Sequence, residues 1–151
     1  MSADKMDKGY ESGESNFLLL EPAADYLSLG INDLTYAIIG ACMEVYNTMG
    51  RGFSEVLYKD ALEDELSERG IKFTREKKYE INYKGKTLRH HYYADFVVED
   101  RVILEIKAQQ GVIETHYKQV INYLAVSKCE IGLIINFGEE SLKYKRVILT
   151  K

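Results

Sequence analysis

Ala94-Asp95-Phe96-Val97-Val98, a short polar turn and Ile103-Leu104-Glu105-Ile106-Lys107-Ala108 constrain this chain more than any other stretch. Both runs read as β-strands, and an aspartate, a glutamate and a lysine sit inside them. Alternate residues of a strand share a face, so Glu105 and Lys107 point the same way as Ile103, with Leu104 and Ile106 opposite. A charge inside an apolar strand costs several kcal/mol unless it is paired or binds a cation. The spacing therefore demands a partner for each of the three groups.

Asp95 joins Glu105 only under a register condition. Opposed residues of an antiparallel pair share a face, so the numbers of each cross-strand pair must sum to an even value. That selects a three-residue connection, Glu99-Asp100-Arg101 between Val98 and Val102, or a bulge. A two-residue turn would send Asp95 to the wrong side.

The 151 residues suffice for one domain with a full core. No apolar run reaches the roughly 18 residues of a membrane span, and the acidic N-terminus lacks the layout of a signal peptide; the expectation is a cytoplasmic protein with no membrane partner. Cys42 and Cys129 lie far apart and read as small buried hydrophobes. His90 and His91 are neighbours in a strand and face opposite ways, so they form no metal-ligating pair. The formal charge of −4 resides wholly in residues 1–30, which hold two lysines against six acids. The remainder is neutral, yet Lys72 to Arg89 concentrates Lys72, Arg75, Lys77, Lys78, Lys84, Lys86 and Arg89 against Glu76 and Glu80. Such a run is usually a solvated face and is weak evidence for a nucleic-acid partner.

Residues 1–30 show no sustained period and hold the only proline; they read as an N-terminal extension, disordered over 1–15, ahead of a domain at 31–151. A first helix runs from a cap at Asn32 or Asp33 to Met49, with Gly50 as its stop. A second is capped by Ser54 and ends before Gly70. Glu55 in its first turn ordinarily just favours the helix dipole. Strands follow at Tyr79–Tyr83, Leu88–Val98 and Val102–Ala108, then a helix from Glu114 to Ser127 on which His116, Gln119 and Tyr123 fall together. Ile131–Phe137 is apolar throughout, as in a strand covered on both faces, and Tyr144–Leu149 is a last strand. The order α, α, β, β, β, α, β, β predicts an α/β fold with a mixed sheet.

Carboxylates converging beside a lysine suit a hard divalent cation such as magnesium, or manganese, and phosphodiester hydrolysis fits that inventory. The D…E-x-K pattern alone is a moderate signal, because a salt bridge between strands looks identical.

The chain from Ile31 to Leu149 resembles the GxxExxY family of the PD-(D/E)XK nuclease superfamily. The resemblance is carried by Gly52-Phe53-Ser54-Glu55-Val56-Leu57-Tyr58, by Ala94-Asp95-Phe96, by Glu105-Ile106-Lys107 and by Ile134-Ile135-Asn136-Phe137-Gly138. It implies a restriction-endonuclease-like αβββαβ core with helices flanking the mixed sheet. It further implies that Glu55, Asp95, Glu105 and the carbonyl of Ile106 hold the metal, that Lys107 is the catalytic lysine, and that Gln119 and Tyr123 face the site. Tyr58 either bonds within the site or packs.

Three readings compete. The first is a metal-dependent nuclease acting on DNA in preference to RNA. The second is a non-catalytic module that binds nucleic acid or a protein partner. The third is a structural domain in which Lys107 pairs directly with Asp95 or Glu105. The last strand and the Phe17–Leu20 piece, both apolar, suit a homodimer.

Overall fold

The computed structural model describes residues 29–111 and 114–149. The disordered stretch expected at 1–15 and the Phe17–Leu20 piece lie outside the described residues. Eight elements follow one another: α1 (Ile31–Met49), α2 (Glu55–Glu68), β1 (Phe73–Tyr83), β2 (Lys86–Val98), β3 (Val102–Lys107), α3 (Glu114–Val126), β4 (Ile131–Asn136) and β5 (Lys143–Val147). The strands form one sheet in the order β1-β2-β3-β4-β5. Only β3 and β4 run parallel, as α3 between them requires, and every other pair is antiparallel. The expected α/β class and mixed sheet are observed. Among the described residues no helix is long and apolar enough to cross a membrane.

Two apolar layers sandwich the sheet. Leu34, Ile38, Tyr58 and Leu62 of α1 and α2 pack on Phe96, Leu104, Ile106 and Ile135. On the other side Val120, Tyr123 and Leu124 of α3 pack on Val97, Ile103 and Ile134. With both faces covered, β3 and β4 are buried almost throughout, which is why Ile131–Asn136 shows no alternation.

Several boundaries differ from expectation. Gly30 precedes α1 at the capping position, and neither it nor Ser54 makes a side-chain cap bond. β1 begins at Phe73, six residues before Tyr79. The missed half alternates, but of its half-buried residues Phe73, Arg75 and Lys77 two are charged, and Arg75 bonds Asp60 at 2.7 Å and Glu63 at 2.8 Å on α2 and lies 5.9 Å over the Phe96 ring. A hydrophobic count does not register an arginine that is inward because it is paired. β5 exposes Lys143, Tyr144, Lys145 and Arg146 and buries only Val147, so the apolar edge invoked for a dimer is a charged edge of the kind that resists pairing. Cys129 is half-buried rather than buried, whereas Cys42 is fully enclosed, burial raising its thiol to about 12.

The loop Gly50–Ser54 is held from inside. Tyr58 is fully buried, stacks on Phe137 at 4.5 Å, donates its hydroxyl to the Gly50 carbonyl at 2.6 Å and accepts from the Phe53 amide at 3.3 Å. Its hydroxyl is therefore spent on this loop, which carries the chain into α2. Gly138 is likewise determined by contact: a Cβ there would lie 2.2 Å from the Gln109 nitrogen. The Asn136 amide ties the same two segments, accepting from Gln109 N at 3.1 Å and donating to its carbonyl at 2.7 Å.

Tyr58→Phe keeps the ring and leaves the Gly50 carbonyl without its partner. The expected loss is about 1–2 kcal/mol, read as a lower urea midpoint with an unchanged slope; an unchanged midpoint would assign the loop's order to packing alone.

Candidate active site

Asp95 stands where the sheet divides. β2 and β3 pair through Val98↔Val102, Val97↔Ile103 and Phe96↔Leu104, every pair summing to the same even number, so the three-residue turn Glu99–Arg101 is realised, with Glu99 and Asp100 at φ of 51° and 55°. The ladder then stops. The Ile106 amide, which a regular ladder would hand to a backbone carbonyl, instead donates to Asp95 Oδ2 at 2.8 Å. A side chain has replaced the main chain as the rung.

The β1–β2 pairing is broken at the same level. It runs from Phe73↔Val98 to Glu80↔His91 with only Glu76 and Asp95 skipped, and Glu76 has a φ of 54°. Phe96 lies in the α1/α2 layer and Val97 in the α3 layer, yet Ala94 and Tyr92, also even-numbered, lie in the α3 layer. The strand thus exchanges its faces at Asp95, where one residue of each strand drops out of the pairing while the register on either side is kept.

Lysines meet both carboxylates. Lys59 on α2 lies 3.1 Å from Asp95 Oδ1 and 3.1 Å from Glu76 Oε2. Lys107 lies 3.2 Å from Glu105 Oε2. The remaining oxygen, Glu105 Oε1, is buried without a hydrogen-bond partner. Burial first, then the charge of Asp95, pushes the Glu105 carboxyl up to about 7 in spite of Lys107 and Lys59. Burial alone would lower the Lys59 ammonium, but Asp95 and Glu76 outweigh it and raise it.

Tyr123 on α3 is buried against this group. Burial, then Glu105 and Asp95, raise its hydroxyl, with Gln119 beside it acting in the opposite direction. Of the two α3 residues implied by the resemblance, Tyr123 is within electrostatic reach of the cluster and Gln119 lies beside Tyr123. The Lys107 carbonyl accepts from Phe137 N at 2.8 Å, toward β4; by the alternation of backbone direction the neighbouring Ile106 carbonyl turns to the β2 side, into the gap where the ladder has stopped.

Glu55 is not gathered with the others. It lies at the start of α2 and raises the His116 imidazole, which burial first and Lys107 second pull down further than Glu55 restores. Among the described residues no three His, Cys, Asp or Glu side chains are grouped closely enough to hold a metal ion. From sequence Lys59 had no part, and His116, whose buried Nδ1 has no partner, fell on the face of Gln119 and Tyr123 without a role. The signal for Lys59 was its place one turn after Glu55; for His116 it was the face shared with Gln119 and Tyr123.

Because Glu105 titrates near 7 in the fold and near 4.5 ordinarily, the metal-free folded protein binds that proton more tightly than the unfolded chain. Stability therefore falls as pH rises from 4.5 to 7 and levels off above, by about 3 kcal/mol at most. Glu105→Gln is expected to flatten this decline in urea midpoints taken in EDTA; a variant declining as steeply as the parent would place the titration elsewhere.

Comparison with known proteins agrees with this architecture. No curated protein matches the chain. A solved structure described as "Crystal structure of SSO0001" superposes with a TM-score of 0.52 at 20% identity, covering 63% of this chain and 50% of that one, so the likeness is one of fold and spans about half the length of that protein. The family model of the PD-(D/E)XK nuclease superfamily matches residues 32–147. Those residues run from the first turn of α1 to the last residue of β5, and the chain belongs to the PD-(D/E)XK nuclease superfamily.

Proposed function

We propose that the chain is a metal-dependent nuclease of the GxxExxY type that hydrolyses phosphodiester bonds in DNA, and in RNA less readily. The observation that carries this is the orphaned Glu105 Oε1, buried beside Asp95 in a gap of the sheet. A carboxylate oxygen with no donor takes a proton or a cation, and either relieves the repulsion from Asp95; above about pH 7, where the proton is lost, a cation is what answers both needs.

The donors present fit magnesium or manganese. Asp95, Glu105 and the Ile106 carbonyl are hard oxygens, and magnesium commonly takes one or two carboxylates with waters and substrate phosphate completing its shell. Three clustered carboxylates are thus not needed. Glu55 stays in the proposal as the further ligand that the resemblance implies, although its own neighbour is His116. Bound there, the ion would neutralise charge on the phosphate and acidify a water.

The protein's own groups do the rest. Asp95 is held by Ile106 N and Lys59, which fixes one wall of the gap. Lys107 keeps a cationic head beside Glu105, where it meets negative charge growing on the phosphoryl oxygens as water attacks phosphorus and the ester bond breaks. Gln119 and Tyr123 close the α3 side and limit water to the reacting face.

One observation favours a non-catalytic chain, whether the binding module or the structural domain in which Lys107 pairs directly with Glu105: each carboxylate already has a lysine, Lys59 on Asp95 and Lys107 on Glu105. Labelled single- and double-stranded DNA and RNA incubated with magnesium or manganese separate the two. Cleavage is expected, lost in EDTA and reduced about 100-fold or more in folded Glu105→Ala and Lys107→Ala. No cleavage with either metal, together with no calorimetric ion binding that depends on Asp95 and Glu105, would leave a non-catalytic chain.

A further inference from the structure

Beyond Asp95 the strands β1 and β2 continue as a two-stranded ribbon that β3 no longer accompanies. From Lys77 to Tyr93 it carries five lysines or arginines against one acid, Glu80. One face leans on α3, where Tyr92 meets Tyr123 edge-on at 5.6 Å. The opposite face is open: Lys78, Glu80, His91 and Tyr93 are exposed, with Lys78 Nζ 3.4 Å from Glu80 Oε2, and Arg89 is exposed just beyond them, where the pairing shifts register. On it the His91 and Tyr93 rings touch at 5.2 Å and 82°, which confirms that they share this side.

We infer that this ribbon face is a docking arm for one strand of nucleic acid, with Lys78 and Arg89 against phosphates and the Tyr93–His91 pair stacking on bases. Three features support it. A tyrosine left 49% exposed on a stiff ribbon offers a ring at little cost in ordering. Cationic side chains interleaved with aromatic ones follow the backbone and bases of a single strand without reading sequence. Tyr93 stands two residues, roughly 7 Å, from Asp95, so a strand lying along the arm leads into the gap between β2 and β3. The direction of that path rests on the nuclease reading; the binding itself does not. The other exposed basic strand, β5, occupies the far edge of the sheet and supplies an internal comparison.

Anisotropy of labelled oligothymidine in EDTA tests the arm without cleavage intervening. Tyr93→Ala is expected to weaken binding about fivefold or more, while Tyr93→Phe, which keeps the ring, binds as the parent does. Lys78→Gln with Arg89→Gln should lower the slope of log affinity against log salt by about 1.4, and Lys143→Gln with Lys145→Gln should leave it unchanged. The arm is overturned if the ribbon variants hold the single strand as tightly as the parent, if the β5 variant accounts for the loss, or if the ribbon variants lose only duplex DNA or anionic vesicles. Should the parent cleave nothing while the ribbon variants still release the strand, the arm stands and the nuclease reading falls. Should cleavage proceed with ribbon variants that bind unchanged, the reverse holds.

Discussion

The hydrogen bond from the Ile106 amide to Asp95 Oδ2 is the constraint on which the rest of the molecule depends. A regular ladder would carry β2 and β3 together to their ends and leave no opening at the sheet's centre. With a carboxylate as its last rung the ladder closes without an unsatisfied buried donor, and β2 is free to leave with β1. Glu76, at a φ of 54° opposite Asp95, releases the pairing on the other side at the same level. Two departures from regular pairing at one height make both the gap and the ribbon.

That arrangement concentrates charge where apolar packing would otherwise be best. Glu105 stands between Leu104 and Ile106, both fully buried, on a strand covered on both faces. Lys107 and Lys59 offset much of the cost, yet one Glu105 oxygen keeps no partner and the carboxyl is held near neutrality. A domain selected only for stability would fill this position with an aliphatic side chain. A carboxyl able to ionise and only half satisfied inside the core, at a cost in stability, is the kind of group found at functional sites. The surrounding apolar layers hold the strands rigidly enough for the charges to stay in place.

Much of this was legible from residues. The three-four spacing of α1 and α2 is set by which faces touch the sheet, and a single layer of contact leaves a clear period. The even-sum rule for Asp95 and Glu105 followed from the alternation of strands alone and is met by the Glu99–Arg101 turn. Other features left no local trace. The first half of β1 is held by Arg75 on Asp60 and Glu63, residues of a different element. Tyr58 reads equally as a site residue or a packed one until Phe137, far along the chain, is found stacked beneath it.

The amino-acid sequence by itself determined the order of elements, the mixed sheet and the presence of Asp95, Glu105 and Lys107 on neighbouring strands, because periodicity and turn length are local properties of the chain. Only the tertiary structure decided which cation each carboxylate meets. Lys59 reaches Asp95, 36 positions away in sequence, because α2 packs on the sheet, and Glu55 comes within electrostatic reach of His116 on α3. Such pairings depend on the packing of helices against a sheet, and no spacing along a single strand or helix encodes them.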